Sequence, residues 1–183
     1  MKKRAQNLLT LILVLSICLS CMLMPYAADA AASVTVHSQS ELTNAFSTLA
    51  ASGGTITLGA DITLDGAVSL PVVKKAVTLN GDGHTLTLSG DLALNGDTEL
   101  QNITICNDGD SRLISCGGHT VRFDATVSCT ATDLFYPTIA GGNADSTAYS
   151  GGELTIGGGT WQRVLSGNAG TGASAQSGKV SIT

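Results

Sequence analysis

The stretch best equipped for chemistry is "NDGDSR", residues 107–112, which holds two carboxylates and a guanidinium. Asp108 and Asp110 offer hard oxygen ligands of the kind that hold Ca²⁺. Arg112 follows at once, and Arg122 is the other arginine nearby. A second chemistry, glycosidic hydrolysis, needs two carboxylates at a set separation. Asp82, Asp108, Asp110 and Asp124 are the candidates, and most stand next to glycine, as turn residues do. The plain reading of residues 107–112 is a polar corner.

Histidine recurs in one context, His84 in "GDGHTL" and His119 in "GGHTV". No second metal ligand stands near either one, so a repeated structural role after a turn is the plainer reading. Cys106, Cys116 and Cys129 are spaced by 10 and 13 residues with no C-x-x-C. A zinc site is poorly supported by that spacing, and small buried core residues are the expectation. Their odd number leaves the pairing open. No cofactor is expected, and no metal site is assigned.

Aromatic residues are scarce, at 4% of the chain, so their clustering is informative. Phe135, Tyr136 and Tyr149 fall in the long interval at residues 132–152, and Trp161 follows in "GGGTWQRVLSG". Long loops on a rigid scaffold are where binding residues concentrate. Tyr136, Tyr149 and Trp161 are the candidate carbohydrate-binding rings. Against this, Phe135, Tyr136 and Trp161 also suit packing beneath a loop. Residues 167–178, "GNAGTGASAQSG", have Gly-x-x-Gly spacing but no basic residue before Lys179, so phosphate cradling is not supported.

The elements that must position these residues follow from hydrophobic period. "SQSELTNAFSTLA", residues 38–50, is the one helical pattern. Leu42, Ala45, Phe46 and Leu49 form one apolar stripe. Ser38 with Glu41 three residues on predicts a capping box, and Gly53-Gly54 predicts the stop. Short alternating strands follow: "TITL", "DITL", "VSLPVV", "VTL", "HTLTL", "DLAL", "NITI", "HTVRF", "ELTI", "RVL" and "KVSIT". Gly, Asp and Asn separate them. Pro71 fits a corner better than a hydrogen-bonded strand position.

Asn80-Gly81-Asp82-Gly83 poses the main topological question, because Asn-Gly or Asp-Gly between alternating apolar residues is a hairpin signal. The strands here are too short to bury two faces as a meander or sandwich would. Comparable strands open at Ile56, Val77, Ile103, Val121, Leu154 and Val180, at intervals of 21, 26, 18, 33 and 26 residues. A period in the twenties points to a solenoid of coils. The expectation is therefore that the chain turns a corner and keeps winding. The amphipathic helix then caps the end of the solenoid.

The ends and the charge set further bounds. Lys2, Lys3 and Arg4, the apolar run at residues 8–24 and Ala28-Asp29-Ala30 form a three-part signal-peptide pattern over residues 1–30. The expected location is secreted or cell-surface, with residues 31–183 as one domain. The chain has 9 basic and 14 acidic residues, and three of the basic ones lie in the signal. A nucleic-acid groove is disfavoured by that balance, as is binding to an anionic membrane after signal cleavage.

"VTVHSQSELTNAF", "GGTITLGADITL" and "VTLNGDGHTLTL", following a signal peptide, resemble the N-terminal region of pectate-lyase-like right-handed parallel β-helix proteins, especially secreted, adhesin-like surface members from Gram-positive bacteria. The likeness covers residues 34–105 well and the rest loosely, and its matching residues are structural. It implies an all-β fold, a right-handed parallel β-helix with an N-terminal capping helix. In the lyases of this group an arginine takes the proton beside a uronate, the role the resemblance would lend Arg112. No cluster of Asp, Arg or Lys recurs at one offset in successive coils. The function expected is a non-enzymatic adhesive or polysaccharide-binding scaffold whose partner is a polysaccharide or a cell-surface ligand. The alternative is a polysaccharide lyase or glycoside hydrolase acting on an acidic polysaccharide.

Ile56, Leu58, Val77, Leu79, Ile103, Ile105, Val121, Leu154 and Ile156 are expected to share one stacked core. Val180 and Ile182 alternate as a strand opening a new coil, with no cap pattern after them. The expectation is that further coils of the same polypeptide follow Thr183, and that residues 31–183 alone associate through that coil.

Overall fold

Ser38 starts helix α1 (Gln39–Leu49), its Oγ accepting the Glu41 N–H at 3.3 Å. The Glu41 carboxylate accepts the His37 N–H at 2.8 Å, one residue upstream of the partner a capping box predicts. Gly53 closes the helix with φ +68, and its N–H donates to Leu49 O at 2.8 Å. Leu42, Ala45, Phe46 and Leu49 are all buried. Each of the three large side chains contributes about 1.5–3 kcal/mol by leaving water. This computed structural model describes residues 31–131, 135–141, 153–165 and 179–183. The signal-peptide reading of residues 1–30, Tyr149 and the glycine-rich stretch at 167–178 lie outside the described residues.

Strand β1 (Ser33–Val36) precedes the helix. Four coils of three strands follow: β2 (Gly54–Leu58), β3 (Ile62–Leu64) and β4 (Val68–Ser69); β5 (Val77–Asn80), β6 (Thr85–Leu88) and β7 (Leu92–Ala93); β8 (Thr98–Gln101), β9 (Thr104–Asn107) and β10 (Leu113–Ser115); β11 (Val121–Phe123), β12 (Ser128–Ala131) and β13 (Thr138–Ala140). Then come β14 (Glu153–Ile156), β15 (Arg163–Leu165) and β16 (Lys179–Ile182). They stack into three sheets, ordered β1-β2-β5-β8-β11-β14-β16, β3-β6-β9-β12 and β4-β7-β10-β13-β15. Every pairing is parallel, as a β-helix requires. The helix packs on β1, β2 and β3. It is the crossover between two paired strands as well as a cover for the end of the core.

The chain winds at Asn80-Gly81-Asp82-Gly83. β5 pairs with β2 and β8, never with β6. The turn is tight, with His84 N–H donating to Gly81 O at 2.8 Å. Gly83 N–H reaches up to Asn102 O of the next coil at 2.9 Å. Asp82 and Asn102 carry φ of 50 and 49, left-handed conformations that Asp and Asn tolerate. A side chain at Gly81 would run into Asn102 O and Ile103 above it.

The interior is a set of columns. Ile56, Leu79, Leu100, Phe123 and Ile156 lie in register along the first sheet, with half-buried Val34 and exposed Ile182 at the two ends of the column. Ile62, Leu86, Ile105 and Cys129 lie along the second, and Val68, Leu92, Ile114, Ile139 and Val164 along the third. All nine core residues expected from the sequence are buried. Their grouping needs one correction. The strand equivalent to Val77 and Val121 opens at Thr98, and Ile103 sits at the corner leading into β9. Column positions from Ile56 to Phe123 are then 23, 21 and 23 residues apart, far more even than the sequence spacing implied. Thr98 hid this strand because it puts a hydroxyl where an apolar residue was expected. Its Oγ1 is satisfied by Gly96 O at 2.9 Å.

Candidate functional site

Aspartates placed just before strands tie coil to coil. Asp61 precedes β3, and its Oδ1 accepts the N–H of Thr85, stacked above it, at 2.8 Å. Asp91 and Asp97 do the same for Leu113 N–H and Thr120 N–H, each at 2.9 Å. The two histidines flank this arrangement. His84 Nδ1 lies 3.3 Å from Asp61 Oδ1, and His119 Nδ1 lies 4.0 Å from Asp97 Oδ1. The repeated His-Thr is therefore a strand-start device, with the Thr N–H bonded and the ring beside the carboxylate. The Asp half of it has its own signal in the sequence, since "GAD", "SGD" and "NGD" each precede a strand.

The catalytic candidates divide between two corners. Asp82 and Asp124 lie between the first and second sheets; Asp108 and Asp110 lie between the second and third. Asp124 accepts from Thr126 N–H at 3.1 Å and from Thr126 Oγ1 at 3.0 Å, and Arg122 Nη2 donates to it at 3.1 Å. These bonds, the Thr126 N–H foremost, hold its carboxyl below the usual range. Arg122 also pairs with Glu99 at 3.1 Å, across the outer face of the first sheet and away from Arg112. Among the described residues, no group of three or more His, Cys, Asp and Glu is placed to hold a metal ion.

The corner at residues 107–112 is where two sequence candidates meet. In the first two coils this corner takes three residues; here it takes five. Asn107 follows Ile103 and Ile105 in alternation, so it points inward and is fully buried. Its Nδ2 donates to Phe135 O at 3.0 Å. Ser111 Oγ donates to Tyr136 O at 3.3 Å. These two bonds dock the aromatic segment of the fourth coil on the polar corner of the third. Ser89 Oγ donates to Asp108 Oδ2 at 3.3 Å, and Arg112 Nη2 donates to Asp108 O at 3.4 Å. Arg112 Nε is buried without a hydrogen-bond partner among the described residues. Asp108 and Asp110 are exposed, Tyr136 is half-buried and Phe135 is 43% exposed. The result is a ledge formed by the corner at residues 107–112 and the segment at Phe135 and Tyr136 docked on it, with Asp108, Asp110 and Phe135 exposed and Arg112 half-buried.

Trp161 lies on the connection from β14 to β15. It meets Phe123 edge-on at 4.9 Å between centroids, and its Nε1–H donates to Gly158 O at 2.9 Å. The ring is half-buried against the core. Cys116 and Cys129 carry free thiols that burial pushes up to about 12, so both behave as small apolar residues. Cys106 faces outward from β9, half-buried, against the expectation that all three would be core. Strand alternation decides this, because its neighbours Ile105 and Asn107 take the inward positions.

Compared with protein-family models, curated proteins and solved structures, the chain finds no match. What stands on its own geometry is the architecture, a parallel β-helix with one N-terminal capping helix.

Proposed function

We propose that this chain is a secreted or cell-surface β-helix scaffold without enzymatic activity, and that it binds polysaccharide on the ledge at residues 107–112. The observation that carries this reading is Phe135, whose side chain is exposed and whose main-chain carbonyl is tied by Asn107 to the corner that carries Asp108, Asp110 and Arg112. A sugar presents a C–H face that an aromatic ring covers, and hydroxyls that carboxylates and guanidinium groups bond. Sites of this kind combine apolar rings with a few placed polar groups. Tyr136 adjoins Phe135, and Tyr149 and Trp161 are the further rings assigned to the same ligand. The basic, apolar and small-residue run at the N-terminus supports export. Among the described residues, no helix is long and apolar enough to cross a membrane. The motif run at residues 34–105 supports placing the chain with adhesin-like surface members of the pectate-lyase-like group.

A glycan array probed with the purified protein tests the reading. Phe135→Ala, and Tyr136→Ala combined with Tyr149→Ala, should each weaken a positive signal about tenfold, the loss of one or two stacked rings. Unchanged binding returns these rings to a packing role. The same protein should not cleave pectate, with or without Ca²⁺. Release of unsaturated uronate that disappears in Arg112→Ala would replace the scaffold reading with that of a polysaccharide lyase.

A further inference from the structure

We propose that the groove between α1 and β3 binds an extended basic peptide, which adds to the open edge of β3 as a further strand. The first sheet continues past β2 to β1, but among the described residues the second begins at β3 with no strand beyond it. Ser89 N–H donates to Leu64 O at 3.0 Å, so Leu64 faces β6. Alternation then turns the Thr63 N–H and C=O to the opposite edge, toward α1. Asp65 N–H points the same way and is met by Gln39 Oε1 at 2.8 Å, a side chain standing in for a missing strand. The Thr63 pair has no such partner among the described residues.

A groove of about 620 Å³ opens along this edge, a volume typical of ligand sites. Its helix wall carries Ser40, Thr43 and Asn44, and its strand wall carries Asp61, Thr63 and Asp65, with no lysine or arginine among the lining residues. Asp61, Thr63 and Asp65 are exposed and alternate onto one face. Asp61 and Asp65 flank the open backbone pair, their Cα positions about 13 Å apart along the strand. The Asp61 carboxylate is held in its charged form by Thr85 N–H and His84, and its side chain is 74% exposed. An added strand bonds Thr63 through its main chain and sets side chains four residues apart against the two aspartates. The fitting partner is therefore an extended segment with Lys or Arg at positions i and i+4. Main-chain bonds supply affinity and the charges supply selectivity, as in other strand additions.

The probe is a fluorescein-labelled peptide of alternating Thr and Val with Lys at its third and seventh positions, beside a twin with Glu there. Fluorescence anisotropy with the full chain should show saturable binding of the Lys peptide. Its advantage over the Glu twin should be about tenfold at low salt, from two exposed ion pairs, and should shrink at about 1 M salt. The Thr63 amide should become protected from hydrogen exchange when the peptide is bound. Thr63→Pro removes an N–H that faces away from β6, at an edge position where proline is tolerated, and should abolish binding while the far-ultraviolet circular dichroism is kept. Asp65→Lys should remove the preference for Lys, and this variant with the Thr63 exchange readout decides the matter should Thr63→Pro fail to fold. Equal binding of the twins, an unprotected Thr63 amide in the complex, or no saturation up to about 1 mM peptide would overturn the proposal. So would binding of a cationic chitosan oligosaccharide in place of the peptide.

Discussion

The first four coils and the fifth solve the same packing problem differently. From β2 to β13 each coil places a strand in every sheet; the coil opened by β14 passes from the first sheet to the third without a described strand in the second. Gly157 to Gly159 make that shortcut. Gly157 N–H donates to Phe123 O at 2.7 Å, and a Cβ on Gly158 would sit 2.7–2.9 Å from three carbonyl oxygens of the fourth coil. Glycine alone lets the backbone come this near. The second-sheet column has by then shrunk to Cys129 and Ala131, and Gly159 lies between the Cys129 sulfur and the Trp161 ring. Regular stacking closes a core with repeated Leu and Ile. The shortcut closes it with bare backbone and one large ring.

The most severe break lies in the regular region. Leu79→Asp puts an unpaired carboxylate between Ile56 and Leu100 and should cost more than about 4 kcal/mol. Loss of the β signal in circular dichroism checks it; a folded, cooperatively melting variant would contradict the stacked column. Glycine substitutions come next and test the contrast directly. Gly81→Ala and Gly158→Ala each force a methyl against fixed backbone, at about 1–3 kcal/mol. Coils contact mainly their neighbours, so Gly81→Ala should raise hydrogen exchange in the first four coils, and Gly158→Ala mostly in β14 and β15. Identical exchange patterns would show that the two regions unfold as one.

Acid should loosen both regions by a smaller amount. The carboxyls of Asp61, Asp124 and Glu153 lie below their usual values of 3.8, 3.8 and 4.5. For Asp61 the main cause is Thr85 N–H, for Asp124 Thr126 N–H, and for Glu153 the Lys179 ammonium at 2.7 Å. The folded state therefore binds fewer protons than the unfolded one. Their contribution is fully present above the unfolded values and is lost as pH falls through the depressed folded ones. The melting midpoint should be level from about pH 7 to 5 and fall below about pH 4. Asp61→Asn should shallow that fall, and an unchanged acid limb would remove Asp61 from the account.

Thiol labelling offers the mildest probe. Cys116 and Cys129 should both resist a thiol reagent at about pH 8 in the native protein, because burial keeps them protonated. Trp161→Ala should expose Cys129 and leave Cys116 protected. Equal labelling of the two would mean that the ring is not the local cover of the shortcut.

The winding path was legible because short alternating strands separated by Gly, Asn and Asp leave few other ways to bury one face. The helix was legible to the residue at its N-cap, Ser38. The ledge was half legible. Residues 107–112 and Phe135 with Tyr136 each stood out alone, but they are joined by Asn107 Nδ2 and Ser111 Oγ across more than twenty residues of chain. Inward alternation marked Asn107 in principle, since it continues Ile103 and Ile105.

By itself the sequence determined most of the period-two strands, the capping helix and the Val, Ile and Leu residues of the core, because each follows from local spacing of apolar side chains. Which residue stacks on which was decided only by tertiary structure. Corner length sets register, and it is read out in bonds between coils: Asp61 to Thr85, Asp91 to Leu113 and Asp97 to Thr120. A polar Thr98 inside and a charged Glu99 outside concealed β8 until the coils above and below fixed its place. The shortcut at Gly157 is of the same kind, since three glycines read as a loop until a neighbouring coil shows how close the backbone must come.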